Sequence, residues 1–398
     1  MRDSYSVRYI AYKILEKMEK GEFAQDLLEE VPPLEDRDRA LLTQIVYGVI
    51  RQHGALDKLI QTKISHINRL ILRIAGFQLF FLSKIPQYAI VNESVELAKK
   101  VSSKKSAGFI NAVIRNWCRN PPKMEDEYSH PQWIVERWIK LFGKKETEKL
   151  CNFNNEIPPV YIRINTLKDI PVNVMEQFEK TAHPHGYKII SKGPIKDLIG
   201  FKEGLFHVQD ISSMFIVDLL DVKPGMRVLD LCASPGGKTC SIAEIMENKG
   251  EIIAVDISKE KIRVIEDNCN RLGINIVKTE IGDGTKIKLG SFDRILVDAP
   301  CSNTGVFGRR VEARWRLKPN DFKRHSEMQL ALLTNAKEML TLDGKLVYST
   351  CSIDPEEDEN IVSKFLDNHK KFILTKAIRK FPFDDNMDGV YGAVLMCS

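Results

Sequence analysis

Met226-Arg-Val-Leu-Asp-Leu-Cys-Ala-Ser-Pro-Gly-Gly-Lys-Thr239 decides the fold of this 398-residue chain. The apolar run up to Asp230 has the make-up of a buried strand. Cys232, Ala233, Ser234, Pro235, Gly236 and Gly237 form a tight turn, and a helix is expected from Lys238 to Asn248. A second strand, Glu251 to Val255, ends in Asp256. Strand, glycine turn, helix and strand make one βαβ unit, the building block of an α/β domain. The same unit has the parts of a nucleotide-type site. Glycines let a ligand come close to the backbone, and a helix N-terminus offers N–H groups that no intrahelical carbonyl takes. An acid about 20 positions beyond the turn reaches two ribose hydroxyls.

Spacing narrows the ligand. A dinucleotide fingerprint requires Gly-x-Gly-x-x-Gly, which the turn lacks. A phosphate loop requires Gly-x-x-x-x-Gly-Lys-Ser/Thr. Gly237-Lys238-Thr239 supplies its end, but Cys232 stands where the first glycine belongs. An adenosine ligand without a pyrophosphate fits better, and S-adenosyl-L-methionine is the obvious one. A βα turn that binds nothing has the same local sequence, so the assignment needs support from the other strand ends.

They supply it. Phe292-Asp-Arg-Ile-Leu-Val-Asp298 reads as a buried strand that ends in Asp298-Ala-Pro-Cys301-Ser302. Gly344-Lys-Leu-Val-Tyr-Ser-Thr-Cys351-Ser352 is another, and Asp283 lies in Ile-Gly-Asp-Gly. Ligands of open α/β sheets gather at the carboxyl ends of the strands. Here those ends carry a Gly-Gly turn, Asp256, Asp283, an Asp-Ala-Pro-Cys and a Thr-Cys.

Composition is ordinary for a globular protein, with 43% hydrophobic and 28% charged residues. No secretory signal is recognised, and the most apolar stretch, Ile74 to Leu82, is too short to span a bilayer. No membrane role is expected. Eight cysteines without such a signal suggest a reducing, cytoplasmic setting. No Cys-x-x-Cys pair and no metal spacing among the eight histidines occur, so no metal is assigned. The net charge of +5 is unevenly placed. Lys and Arg outnumber Asp and Glu by 22 to 17 over residues 1–140 and balance at 37 each over 141–398. Between Lys58 and Lys123 there are twelve basic residues and two acids, Glu93 and Glu96. That stripe is the footprint of a polyanion binder, although a solvated helical face has the same composition.

The chain divides into three parts. Residues 1–140 read as helical, with segments at Arg39–Gly54, Ala55–Ser65, Ile67–Leu82, Ala89–Val101, Ala107–Asn120 and Trp133–Phe142. Residues 143–210 read as a small α+β module: a helix Glu146–Phe153, strands Val160–Ile164, Tyr187–Ile190 and Leu205–Val208, and a helix Val172–Thr181 between them. From 211 to 398 strands and helices alternate, which implies a Rossmann-like α/β domain with a parallel sheet. Phe322–Leu340 is its long helix. Asp354 and Pro355 are expected to cap the next helix, with Glu356–Glu359 at its positive end.

The strand-end motifs Asp230–Thr239, Asp298–Ser302 and Thr350–Ser352 resemble the RNA cytosine-C5 methyltransferase family. The likeness continues through Leu72–Phe80, Ile85–Glu93, Phe109–Arg115, His130–Trp133, Arg163–Asn165 and Val208–Asp210. These segments resemble the bacterial 16S rRNA branch of RsmB (Sun) type, which has a NusB-like helical domain before a class I methyltransferase domain. Two stretches depart from the pattern. Gly308–Trp315 lacks an expected His-Pro-Asp, and Asp388-Gly-Val-Tyr391 replaces Asp-Gly-Phe-Phe.

The resemblance implies the chemistry. Cytosine C5 becomes nucleophilic once a thiolate adds at C6, which requires a deprotonated cysteine and a group at N3. It makes Cys351 the nucleophile, gives Cys301 the breakdown of the adduct, and places Asp298 at N3 or the exocyclic amine. Cys232 to Lys238, Asp256, Asp283 and Asp298 would hold S-adenosyl-L-methionine, with Lys238 near its charged tail. Cys118, Cys151, Cys240, Cys269 and Cys397 read as small buried hydrophobes. Trp315, with Arg314 and Arg316, is open between base stacking and the core. The implied partner is small-subunit ribosomal RNA, met by a monomer. The competing readings are the same chemistry on tRNA or 23S rRNA, a non-catalytic RNA-binding assembly factor, and a P-loop nucleotide hydrolase that Cys232 disfavours.

Overall fold

The computed structural model describes residues 6–60, 63–123 and 128–398. Residues 61 and 62, within the expected helix Ala55–Ser65, lie outside them, as do residues 1–5 and 124–127 of the expected helical domain. The chain forms two compact units, Met1–Glu156 with Gly308–Arg316, and Ile157–Phe307 with Leu317–Ser398.

The first unit is helical: α1 Val7–Met18, α2 Ala24–Glu29, α3 Asp36–Arg51, α4 His53–Leu59, α5 His66–Phe81, α6 Gln87–Val101, α7 Lys104–Arg119, α8 Gln132–Phe142 and α9 Lys144–Asn155. Ser65 and Ser103 start α5 and α7 by accepting the N–H groups of Asn68 and Ser106. Every residue of α5 from Leu70 to Gln78 is buried, as expected for a central helix. Gly48 lets α3 and α5 close: a Cβ there would stand 1.9 Å from the Phe77 ring. Gly308–Arg316 belongs to this unit although strands of the other unit flank it in sequence. Val311 joins the helical core. Arg314, fully buried, donates to the Asn154 carbonyl (2.7 Å) and Asn155 Oδ1 (2.8 Å). Trp315 packs on the core and its Nε1 donates to the Ile50 carbonyl (2.9 Å). The core role therefore holds for Trp315 and Arg314. Arg316 donates to the Gly21 carbonyl and lies over the Phe23 ring.

The second unit begins with a small antiparallel sheet. Its strands are β1 Tyr161–Ile164, β2 Phe178–Lys180, β3 Gly186–Ile189 and β4 Phe206–Val208, in the order β2-β3-β1-β4. The helix expected over Val172–Thr181 is corrected here. It stops as α10, Val172–Met175, and Phe178 onward pairs with β3, where Phe178 buries its ring against Phe206. Cross-strand burial outweighs the local helical spacing.

The large sheet follows: α11 Ile211–Leu220, β5 Arg227–Leu231, α12 Gly237–Ile245, β6 Glu251–Asp256, α13 Lys259–Leu272, β7 Val277–Ile281, β8 Phe292–Asp298, α14 Pro319–Ala336, β9 Leu340–Thr350, α15 Glu359–Asn368, β10 Phe372–Lys380 and β11 Val390–Cys397. The order is β10-β11-β9-β8-β5-β6-β7. The five strands from β9 to β7 run parallel, but β11 pairs antiparallel with β9 and β10 antiparallel with β11. The sheet is thus mixed rather than parallel throughout, because residues 381–389 are too short a link for a crossover. The expected cap at Asp354 is also corrected: Asp354–Asp358 form turns, and α15 starts at Glu359 after Asp358. The run is no solvated helix end. Glu357 and Asp358 are fully buried.

The small sheet is bolted to the large one by two residues of its first strand and exit. Arg163 donates to Glu244 of α12 through Nε (2.9 Å) and Nη2 (2.8 Å), and to the Gly237 carbonyl (3.1 Å). Asn165 Nδ2 donates to the carbonyls of Gly204 and Leu272, both at 2.8 Å. Strand order reverses on either side of β5, so the crevice beyond β5, β6 and β8 is where an α/β sheet takes its ligand.

Candidate active site

The turn after β5 is the first wall. Cys232 takes a left-handed backbone, φ 63°, unusual for a residue with a side chain, and Gly236 follows at φ 95°. Ala233 N donates to the Val255 carbonyl (3.0 Å), and Ser234 N to Asp256 Oδ2 (3.0 Å), so the turn is pinned to the end of β6. The Pro235 carbonyl accepts from Asn268 of α13 (3.0 Å). Gly236 backs onto Ile265: a Cβ would meet its Cα at 3.2 Å. Burial, with Asp256 and Asp298 nearby, pushes the Cys232 thiol up to about 12. It is a neutral group and no nucleophile.

Asp256 is buried at the tip of β6. Besides Ser234 N, it accepts Ile257 N (2.7 Å) and pairs with the half-exposed Lys261 (3.0 Å). A carboxylate has about four lone-pair sites, so a ribose hydroxyl finds one open and a second when Lys261 swings away. Asp283 follows β7. The Gly282 N–H donates to the Asp256 carbonyl (3.0 Å), which brings the two strand ends together. The Asp283 carboxylate accepts Thr285 N and Oγ1, which hold its pKa below the usual range.

The second wall carries the sulfurs. Cys301, after β8, and Cys351, at the end of β9, bring their Sγ atoms to 3.2 Å. The two are not alike: Cys301 is buried and Cys351 partly exposed. The sulfur contact and burial push the Cys301 thiol well above its ordinary value, which keeps it protonated. Asp298, at the tip of β8, is held from two sides, by Lys238 Nζ at 2.6 Å and by Ser349 Oγ at 2.7 Å. Burial opposes the Lys238 charge, but Asp298, with smaller contributions from Cys351 and Asp230, outweighs it and raises the pKa. Lys238 therefore faces the second wall across the crevice rather than water.

Several residues of the site escaped the sequence reading. Asn303 Oδ1 lies 3.3 Å from Cys351 Sγ while its Nδ2 donates to the Cys301 carbonyl (3.0 Å), so one side chain spans both cysteines. Its left-handed φ of 61° suits asparagine, and it sits two positions past Cys301. Glu357 accepts Ser302 N (2.8 Å) and its hydroxyl, which anchors the Cys301 loop. Gly305 passes so close to Gly389 that a Cβ would lie 2.4 Å from its carbonyl oxygen. Asp230 is fully buried, with Thr239 Oγ1 on Oδ2 (2.6 Å) and no protein partner on Oδ1 among the described residues. Burial raises its pKa to about 7. Among the described residues no cluster of His, Cys, Asp and Glu gathers that could hold a metal ion, and no helix is long and apolar enough to cross a membrane.

Three family models match the chain: NusB family over residues 5–119, an RsmF/B-like ferredoxin-like domain over 130–186, and 16S rRNA methyltransferase RsmB/F over 217–396. A Bacillus subtilis relative, a probable ribosomal RNA small subunit methyltransferase B, is 34% identical over 92% of this chain and 89% of its own length. The ribosomal RNA small subunit methyltransferase B of Yersinia enterocolitica is 30% identical across the whole of both chains. Among solved structures, PH0851 matches with a TM-score of 0.83, 27% identity and 99% coverage of both chains. A methyltransferase homolog protein from Pyrococcus horikoshii matches 71% of this chain and 98% of its own, with a TM-score of 0.60 and 27% identity. Fold, site and relatives together define an S-adenosyl-L-methionine-dependent RNA methyltransferase. The chain belongs to the 16S rRNA methyltransferase RsmB/F family.

Proposed function

We propose that this enzyme methylates C5 of a cytosine in small-subunit ribosomal RNA through a covalent bond between Cys351 and C6. The observation that carries the reading is the pair of sulfurs at the tips of neighbouring strands, 3.2 Å apart, one accessible and one buried and held protonated. A nucleophile must be reachable, as Cys351 is, whereas Cys301 is buried and held protonated.

The Cys351 thiolate adds to C6, and the π electrons of the C5–C6 bond move to C5. Asp298, braced by Lys238 and Ser349, contacts N3 or the exocyclic amine and favours that shift. S-adenosyl-L-methionine supplies an electrophilic methyl on a sulfonium. C5 forms the new carbon–carbon bond to that methyl as the methyl–sulfur bond breaks and its electron pair stays on the departing neutral thioether. The C5 proton then passes to a solvent water, its electron pair restores the C5–C6 double bond, and the Cys351–C6 bond breaks, its pair returning to sulfur as the thiolate. Cys301, whose Sγ lies 3.2 Å from that of Cys351, assists this last stage. Cys232 to Gly237, Asp256, Asp283 and Asp298 hold the cofactor, and Lys238 braces Asp298. The chemistry of the groups fits it: a turn with a left-handed Gly236 that lets a ligand lie close to the backbone, a carboxylate at the tip of β6, and a buried Asp230 oxygen with no protein donor among the described residues.

In this reading residues 1–140 dock the RNA, 143–210 form the bridging module and 211–398 perform the chemistry, in a cytoplasmic monomer. Bisulfite sequencing of rRNA from cells with and without the gene tests the target. A 16S cytosine should lose its 5-methyl mark. Loss confined to tRNA or 23S rRNA would move the substrate, and no loss anywhere would favour a non-catalytic assembly factor.

A further inference from the structure

We propose that a groove between α6 and α7 binds unpaired nucleotides of the RNA substrate, with a base stacked on Tyr88. The inference rests on the reading that the enzyme acts on RNA, and it assigns the docking to one place on the helical unit. Five observations converge there.

The groove has a volume of about 570 Å³, within the range that ligand sites occupy. Tyr88 stands at its mouth in the first turn of α6 and is 79% exposed. A tyrosine that exposed gains nothing from the core, and its ring is a platform for any base. Lys99, Lys104 and Arg115 line the same groove and are all exposed, against a single lining acid, Glu96. Lys99 pairs with Glu96 on the surface, a bond worth little and readily exchanged for a phosphate. Asn92 and Asn111 add amide groups that match base edges, and Asn111 Oδ1 orients the Arg115 guanidinium through Nε at 2.9 Å.

The fifth observation is Gly108, inside α7. A glycine in a helix costs about 1 kcal/mol relative to alanine. Where helices close on each other the cost has a reason, as at Gly48. Gly108 has no such neighbour: nothing lies within 4 Å of a Cβ built there, and its backbone has no positive φ. It keeps the groove open. The combination of stacking ring, cations, amides and an open wall is that of a single-stranded RNA site, since A-form duplex is read across its shallow groove by shape and 2′-hydroxyls.

The test uses the full chain and fluorescence anisotropy with a single-stranded RNA oligonucleotide of mixed sequence. Tyr88→Ala should weaken binding between about 5-fold and 100-fold, the range of one lost base stack. Gly108→Leu should fill the groove and weaken binding at least tenfold, whereas Gly108→Ala should raise the melting temperature. Lys104→Glu with Arg115→Glu should lower the slope of log affinity against log salt by about 0.7 per lost phosphate contact. Affinity for S-adenosyl-L-methionine and the melting temperature verify the fold of each variant. If folded Tyr88→Ala and Gly108→Leu bind the RNA as tightly as the parent, the groove is not the site. If the parent methylates RNA while these variants bind normally, only the groove assignment falls. If the parent transfers no methyl to any RNA, the functional reading itself is wrong.

Discussion

Lys238 Nζ lies 2.6 Å from Asp298 Oδ2, so the first helical turn after the glycine loop and the tip of β8 are joined by an ion pair inside the crevice. The resemblance had assigned Lys238 to the cofactor's charged tail. In the structure its partner is the acid proposed to contact the cytosine. Lys238→Met should therefore lower kcat at least tenfold, a loss of about 1.4 kcal/mol in transition-state stabilisation, and change cofactor affinity less than threefold. Methyl-transfer kinetics and calorimetry separate the two quantities. A large loss of cofactor affinity at unchanged kcat would return Lys238 to the tail.

Asp256 is the proposed ribose ligand. Its charge-assisted hydrogen bonds to the hydroxyls are worth about 1.5–3 kcal/mol each. Asp256→Ala should weaken S-adenosyl-L-methionine binding at least about tenfold by titration calorimetry, equivalent to 1.4 kcal/mol. ATP should not bind either protein. A folded Asp256→Ala variant with parental affinity would remove Asp256 from the site.

Arg163 and Glu244 form a buried pair, each side chain no more than 3% exposed. Removing one partner strands the other charge, which costs about 3–5 kcal/mol. Arg163→Ala should lower the melting temperature by roughly 6–20 °C. Replacing both residues with apolar ones of similar size should cost less than the single change. A single variant that melts within a degree or two of the parent would show that the small sheet is held by other contacts.

Asp230 makes stability depend on pH. Burial raises its folded pKa to about 7 from 3.8, so the folded state holds a proton that the unfolded chain has already lost over that range. Stability should fall as pH rises from about 4 to 7, by a total on the order of 4 kcal/mol from this group alone. Asp230→Asn removes the titration. The parent, melted without cofactor, should lose stability relative to this variant as pH climbs from 5 to 7.5. A constant difference would mean Asp230 is ionised throughout.

Much of this was legible because strand-to-turn chemistry is local. Asp230 to Thr239, Asp298 to Cys301 and Thr350-Cys351 announce themselves as motifs at strand ends, and the structure sets all of them at the carboxyl ends of neighbouring parallel strands. What escaped is what chain order does not encode. Nothing in Val277–Ile281 marks an edge strand, since three of its five residues face solvent. Glu357 and Asp358 look like the acids of an exposed helix start. Their burial depends on Thr350 at the end of β9 and on Ser302 and Arg379, which are distant in sequence. Gly308–Arg316 lies in sequence within the stretch 211–398 assigned to the α/β domain, yet Val311 and Trp315 join the helical core. Asn303 carried a faint signal, an asparagine two places beyond a site cysteine.

The division of labour between the cysteines is the centre of the account. Cys351→Ala removes the nucleophile, so neither turnover nor a protein–RNA adduct should form. Cys301→Ala removes the group that helps release the product, so an adduct carrying the methylated base should accumulate and survive denaturing electrophoresis. The direct measurement is that gel, run with both variants, RNA and radiolabelled S-adenosyl-L-methionine. A band in Cys301→Ala and none in Cys351→Ala is the predicted result. A band in Cys351→Ala and none in Cys301→Ala would contradict it and make Cys301 the nucleophile.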